Sequence, residues 1–341
     1  MRRLRIFLAA ALPLVLLSGC ALHGSGGDSS EILEFEAQTW TLTFSGSKNS
    51  IEGQTAQHFA DAVSDATNGA VTVELHPGDD LTGGDPQAGI QAVADGTASA
   101  GMYTSLACEA ADPRLGAVSL PFLFSSAEDA AQRLDGSGGE ALAAVLKEHG
   151  LHSLGIGESG FRCPTNSRGD LTSPAELAGL KLRVVDSPLI QEAYRLWGAD
   201  VVTANWPMVF TALRTGTYDG QEEFLSVADG ASVQEVQKYL TRWSGIYGGL
   251  YFFINEDLYN SLSPTLRDVA DRCGRDTVDF QRRQNRQNEE DILARWAKAR
   301  VKVTELTEEE AAVFRQAAQP CYDRYAREYP ELAPLWTAEP S

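Results

Sequence analysis

Lysine is scarce in this 341-residue chain: of 28 basic residues only six are lysine and 22 are arginine, against 47 acidic ones, for a formal charge of −19. That excess of acid excludes the basic footprint nucleic-acid binding requires. Histidine is sparse too. The five present (His23, His58, His76, His149 and His152) form no H-E-x-x-H, and no C-x-x-C occurs, so neither a metal site nor a cofactor is expected. Internal repeats are missing, and so are long apolar runs, apart from IFLAAALPLVLL at 6–17. That run contains Pro13, comes after the basic stretch MRRLR and is too short to span a bilayer comfortably; it reads as a signal h-region within a signal peptide, 1–19.

The residues just past that run fix an address. Leu17-Ser18-Gly19-Cys20 resembles a bacterial lipobox, in which Cys20 would carry lipid, and the polar Gly/Ser stretch after it makes 20–37 a tether. The expected mature protein is extracytoplasmic and lipid-anchored to the cell membrane. Loss of Arg2, Arg3 and Arg5 with the signal takes its formal charge to −22. An anionic ligand must then be held by local cations, and these are mostly arginines, whose planar forks suit carboxylates. Four cysteines remain: Cys108, Cys163, Cys273 and Cys321. In an oxidising compartment an even number suggests disulfides; three pairings are possible, and Cys108–Cys163 with Cys273–Cys321 is the expectation adopted.

The body alternates strands and helices. TWTLTF (39–44), AVTVELHP, ASAGMYTS, LHSLGIG, LKLRVV and YFFIN carry strand patterns. Between them lie helices opened by Asp85-Pro86, Ser125-Ser126-Ala127-Glu128, Ser173-Pro174-Ala175-Glu176, Ser187-Pro188 and Ser263-Pro264, and residues 275–300 read as one long, largely solvated helix. This is an α/β grammar, and the length suggests two domains.

One stretch, GIGESGFRCPTN (155–166), satisfies G-x-G-x-x-G. A dinucleotide loop needs a helix beginning at its glycines, whereas Pro164 holds Cys163 extended and the acidic residue expected about twenty positions on has no good candidate, so the match is a coincidence. Enzyme motifs fail as well. Gly157-Glu158-Ser159-Gly160 is followed by Phe161 where a nucleophile elbow needs glycine, and Glu222-Glu223 are adjacent, so they do not flank a bond as paired catalytic acids do. A secreted enzyme is the weaker alternative and no catalytic residue is expected.

The residues resemble a family, the solute-binding proteins of TRAP (tripartite ATP-independent periplasmic) transporters, in their dicarboxylate-binding (DctP-type) form. The resemblance runs from about Thr39 to about Pro330. It is carried by Leu120-Pro121-Phe122-Leu123-Phe124, by Gly160-Phe161-Arg162, by the run Leu177 to Val184 (LAGLKLRV), and most specifically by Phe210 to Glu222, FTALRTGTYDGQE. It implies a two-lobe, Venus-flytrap α/β fold with discontinuous domains: 38–159 plus 248–288 in lobe I, 160–247 plus 289–341 in lobe II, and a long helix along both. It implies capture of a small organic acid and its delivery to membrane permease subunits. Arg183 matches the family's main carboxylate-binding arginine, Arg162 a second arginine facing the ligand, and Trp206 an aromatic packing on the ligand's carbon body. Glu223 departs from the family, which commonly has Asn there. A carboxylate repels a second ligand acid and accepts from donors, which points to a ligand with a hydroxyl or amine opposite its acid; the other role open to Glu223 is to neutralise and orient the arginines. Ser47, Lys48, Asn49, Asp79, Asp80, Gln87 and Tyr103 lie where the other lobe would meet the ligand. A sensing subunit of the same fold is the remaining alternative.

Overall fold

The computed structural model describes residues 35–204 and 206–337. The expectations for Cys20, the signal and most of the tether lie outside those residues. Ten strands form: β1 Gln38–Phe44, β2 Val71–Pro77, β3 Ala100–Thr104, β4 Leu151–Asn166, β5 Lys181–Val184, β6 Asp200–Thr203, β7 Gly220–Phe224, β8 Tyr239–Arg242, β9 Tyr247–Asn255 and β10 Lys302–Glu305. Their order is β2-β1-β3-β9-β4-β7-β5-β6, with β8 pairing β4 and β10 pairing β8.

β4 is the seam. Its first half pairs antiparallel with β9, and its second half, Arg162–Asn166, pairs antiparallel with β7. Parallel pairs flank it on both sides, β1 with β2 and β3 in one lobe and β5 with β6 and β7 in the other. Helices cover both halves, and the architecture is the two-lobe, periplasmic-binding-protein-like α/β fold. In β1, alternation buries Trp40, Leu42 and Phe44, and Ala56, Phe59, Ala60 and Val63 supply the buried face of the helix Ile51–Ala66. Ser50, Asp85, Ser187 and Ser263 cap their helices through side-chain oxygens. The capping box expected at Ser125 is replaced by a simple N-cap one residue later, with Ser126 accepting from Asp129 N.

Two elements run longer than the sequence pattern suggests. The helix expected at 275–300 begins at Pro264 and continues unbroken to Lys298. The strand expected to end near Gly157 continues to Asn166, because both β7 and β8 pair with its far end. The glycine pattern acquires a reason here. The long helix lies directly on β4: a Cβ on Gly157 would meet Gln281 Oε1 at 2.5 Å, and one on Gly160 (φ +88°) would collide with Glu289. Gln281 uses that closeness, accepting from Glu158 N at 2.9 Å and donating to Glu158 O at 2.6 Å.

The disulfide expectation is corrected. Cys108, Cys163, Cys273 and Cys321 are all unbonded and buried. Cys108 and Cys163 belong to different apolar cores, as do Cys273 and Cys321, so neither pairing can close. Burial pushes every one of these thiols up, Cys163 and Cys321 to about 12, so they stay protonated and inert. Near the chain's end Leu335, in the helix Ala333–Thr337, packs against Gly138 in the helix Ser137–Glu148.

Candidate functional site

Strand register brings the predicted residues together. In the antiparallel β4–β7 pair Arg162 stands opposite Phe224 and Cys163 opposite Glu223; in the parallel β5–β7 pair Arg183 stands beside Gln221. Three strands thus deliver two guanidiniums and two carboxyls to one buried spot. Arg162 is 2% exposed, Glu222 0%, Arg183 5% and Glu223 7%.

The two arginines are not equivalent. Arg162 Nε pairs with Glu222 Oε2 and Nη2 with Glu223 Oε1 at 2.6 Å, while its guanidinium carbon sits 4.5 Å from the centre of the Phe224 ring. Burial alone would lower its pKa, but the adjoining Glu222 and Glu223 more than offset that and raise it. Arg183 is held more lightly. Nε donates to Ala204 O at 3.3 Å and Nη1 to Glu223 Oε2 at 3.2 Å, and among the described residues Nη2 has no hydrogen-bond partner. Its guanidinium carbon lies 5.1 Å from the centre of the Trp206 ring, a half-buried surface that a carbon skeleton can share.

Glu223 bridges the two cations and also accepts from Phe224 N at 3.1 Å. Glu222 accepts from Val185 N at 2.7 Å; burial raises its pKa, Arg162 opposes the rise and Glu223 adds to it. Arginine forks facing carboxylates in a dry site make strong, directional contacts, and removal of one member leaves a buried charge uncompensated.

The first lobe contributes acids. Asp79, 2% exposed and at φ +52°, accepts from Tyr103 Oη at 2.8 Å, and Tyr103 also reaches Thr43 Oγ1 at 3.2 Å. Burial, joined by the charge of Asp79, pushes Glu52 up to about 7. Gln87 is engaged with Ala107 O at 2.6 Å, and Asp80 with His76 at 3.0 Å.

Three of these groups escape a reading of the sequence. Glu222 is legible only as part of a motif. Glu52 sits in the first turn of a capped helix, where an acid is ordinary. Tyr194, whose buried hydroxyl has no partner and whose pKa is raised by burial and by Glu222, falls on the apolar face of its helix.

The model of the family described as bacterial extracellular solute-binding protein, family 7, matches residues 44–328. The chain is 30% identical over 325 residues to the 2,3-diketo-L-gulonate-binding periplasmic protein YiaO of Escherichia coli K12, covering 95% of this chain and 96% of that one. Among solved structures, a TRAP periplasmic solute binding protein from Ochrobactrum anthropi, with its C terminus bound in the ligand-binding pocket, aligns with a TM-score of 0.84 at 31% identity, over 90% of this chain and 95% of its own. The sugar acid binding protein DctPAm of Advenella mimigardefordensis, in complex with galactonate, aligns with a TM-score of 0.75 at 28% identity, over 90% and 100%.

Proposed function

The chain belongs to the bacterial extracellular solute-binding proteins of family 7, and on that premise we propose that it captures a polyhydroxylated monocarboxylate, a sugar acid, for a TRAP permease. The observation that carries this reading is Glu223 set between the two arginines. Arg162 has its fork occupied by the protein's own carboxylates and acts as the fixed counter-charge. Arg183, whose Nη2 has no hydrogen-bond partner among the described residues and which has the Trp206 ring beside it, takes the ligand's carboxylate. Glu223 then accepts from a ligand hydroxyl next to that carboxylate. A dicarboxylate would bring its second acid toward Glu223 or toward Asp79 and Glu52 of the other lobe, and like charges there cost affinity. Hydroxyls donate to the same groups without repulsion.

The ligand lies between the lobes, 38–159 plus 248–288 and 160–247 plus 289–341, with the last helices returning to the first lobe. Its greater affinity for the closed form shifts the hinge equilibrium, and closure dries the arginine–carboxylate contact. Lipid on Cys20 would hold the protein at the membrane beside the permease. Titration calorimetry of the soluble chain with galactonate and with succinate tests the assignment. Binding of galactonate at least about tenfold tighter is expected; tighter binding of succinate overturns it.

A further inference from the structure

A cavity of about 450 Å³ opens on the opposite side of β4 from the arginine cluster. Side chains alternate along a strand, so while Arg162 faces the quartet its neighbours Phe161 and Cys163 line this second space. The remaining walls come from Ser125, Ser126 and the first turn of the helix Ala127–Asp135, from Trp243 in the β8–β9 turn, from Glu289 of the long helix and from the segment Glu305–Arg315. Its volume falls in the range of small-molecule sites, roughly 300–1,000 Å³. The ligand contacts proposed above use none of these residues.

Its charges are unevenly matched. Arg242 pairs with Glu290 at 2.6 Å and Glu305 at 3.2 Å, Arg286 with Glu158 at 2.9 Å and Glu128 at 3.1 Å, and Arg315 with Glu308 at 3.2 Å. Every lining arginine is thus neutralised, and acid remains in excess. Glu289 is the inner member of that excess. Its carboxyl lies against Gly160, and among the described residues it has no ion-pair partner. Glu305 and Glu308 stand at the open mouth, 68% and 76% exposed. The aromatic rings of Phe122, Phe161 and Trp243 belong to the same lining.

An acid at each end of an apolar wall fits one kind of molecule. We propose that this cavity binds an aliphatic di- or polyamine, one ammonium paired with Glu289, the methylene chain along the aromatic wall and a second ammonium at Glu305 and Glu308. A dicarboxylate would meet acid at Glu289 and again at the mouth.

The proposal carries a proton signature. Burial first, then the nearby charges of Glu158 on β4 and Glu290 on its own helix, push Glu289 up to about 8, with Arg242 on β8 and the Asn285 amide opposing. An arriving ammonium needs the carboxylate, so binding expels a proton and tightens by about tenfold per pH unit from about 6 to about 8.

Calorimetry of the soluble chain with spermidine and with putrescine, in about 150 mM salt to screen non-specific attraction, tests this. One site is expected, with affinity rising between pH 6 and 8 and falling roughly tenfold or more in E289Q. That variant keeps the shape of the protonated acid, and the double change E305Q/E308Q provides a second reading from the mouth, with weakening again expected. The R183A chain, without the carboxylate grip, should still bind spermidine, so failure here is separable from failure of the sugar-acid assignment. Absence of heat from the wild type at millimolar amine overturns the proposal. So does unchanged affinity in both E289Q and E305Q/E308Q, which would mark adsorption to the acidic surface.

Discussion

The two faces of β4 bury carboxyls in opposite ways. On the cleft side Glu222 and Glu223 lie against Arg162 and Arg183, and each acid has a cation within hydrogen-bond reach. On the rear side Glu158 is gripped by Arg286, but Glu289, one turn further along the long helix, is left without an ion-pair partner among the described residues. In the cleft the opposed charges compensate one another. The rear acid is pushed up to about 8, chiefly by burial, with no cation fully compensating it. The partner on the neighbouring element thus decides what a buried carboxyl costs.

Removing Arg162 should break the comparison most violently. R162A leaves Glu222 buried with no cation and Glu223 with only Arg183, and a loss of about 3–5 kcal/mol in unfolding free energy is expected from denaturant titration. R183A touches the same cluster from its lightly held edge. Ligand affinity should fall by about 2–3 kcal/mol, read by calorimetry with galactonate, while the denaturation midpoint moves much less. Equal stability losses in the two variants would erase the distinction between fixed counter-charge and ligand grip.

The last effect is a matter of sign. Glu289 has its pKa raised from an ordinary 4.5 to about 8 by burial, so the folded chain holds a proton there that the unfolded chain releases. Without amine, wild-type stability therefore falls as pH rises through that window. E289Q has no proton to lose. Melting temperatures of the two should nearly coincide at pH 5, with E289Q higher at pH 8; the reverse order would mean that a cation faces Glu289 in the free protein.

Local chemistry makes much of this readable from the sequence. Capping residues at Asp85, Ser187 and Ser263 and the alternation in β1 depend only on near neighbours, and they appear where the pattern puts them. Arg183, Arg162, Glu223 and Trp206 stand out by family resemblance, and the structure brings them to one place. Their division of labour is not legible, because it turns on β7 lying between β4 and β5, a long-range pairing that no local pattern encodes. The thiols mislead for a related reason: cysteine count carries parity, but the core in which each residue ends up is a tertiary fact. The glycines of 155–160 hold no dinucleotide turn, yet their purpose, giving the long helix room to lie on the strand, depends on residues more than a hundred positions away.

The placement of β9 between β3 and β4 bears on how such a chain is made. Until Tyr247–Asn255 has emerged, the first sheet lacks an inner member, and β3 and β4 each present a bare edge. Roughly the leading three-quarters of the polypeptide thus has no finished lobe to settle into. A nascent chain in that state keeps unpaired strand edges, and the lobe closes only once this late strand has joined it.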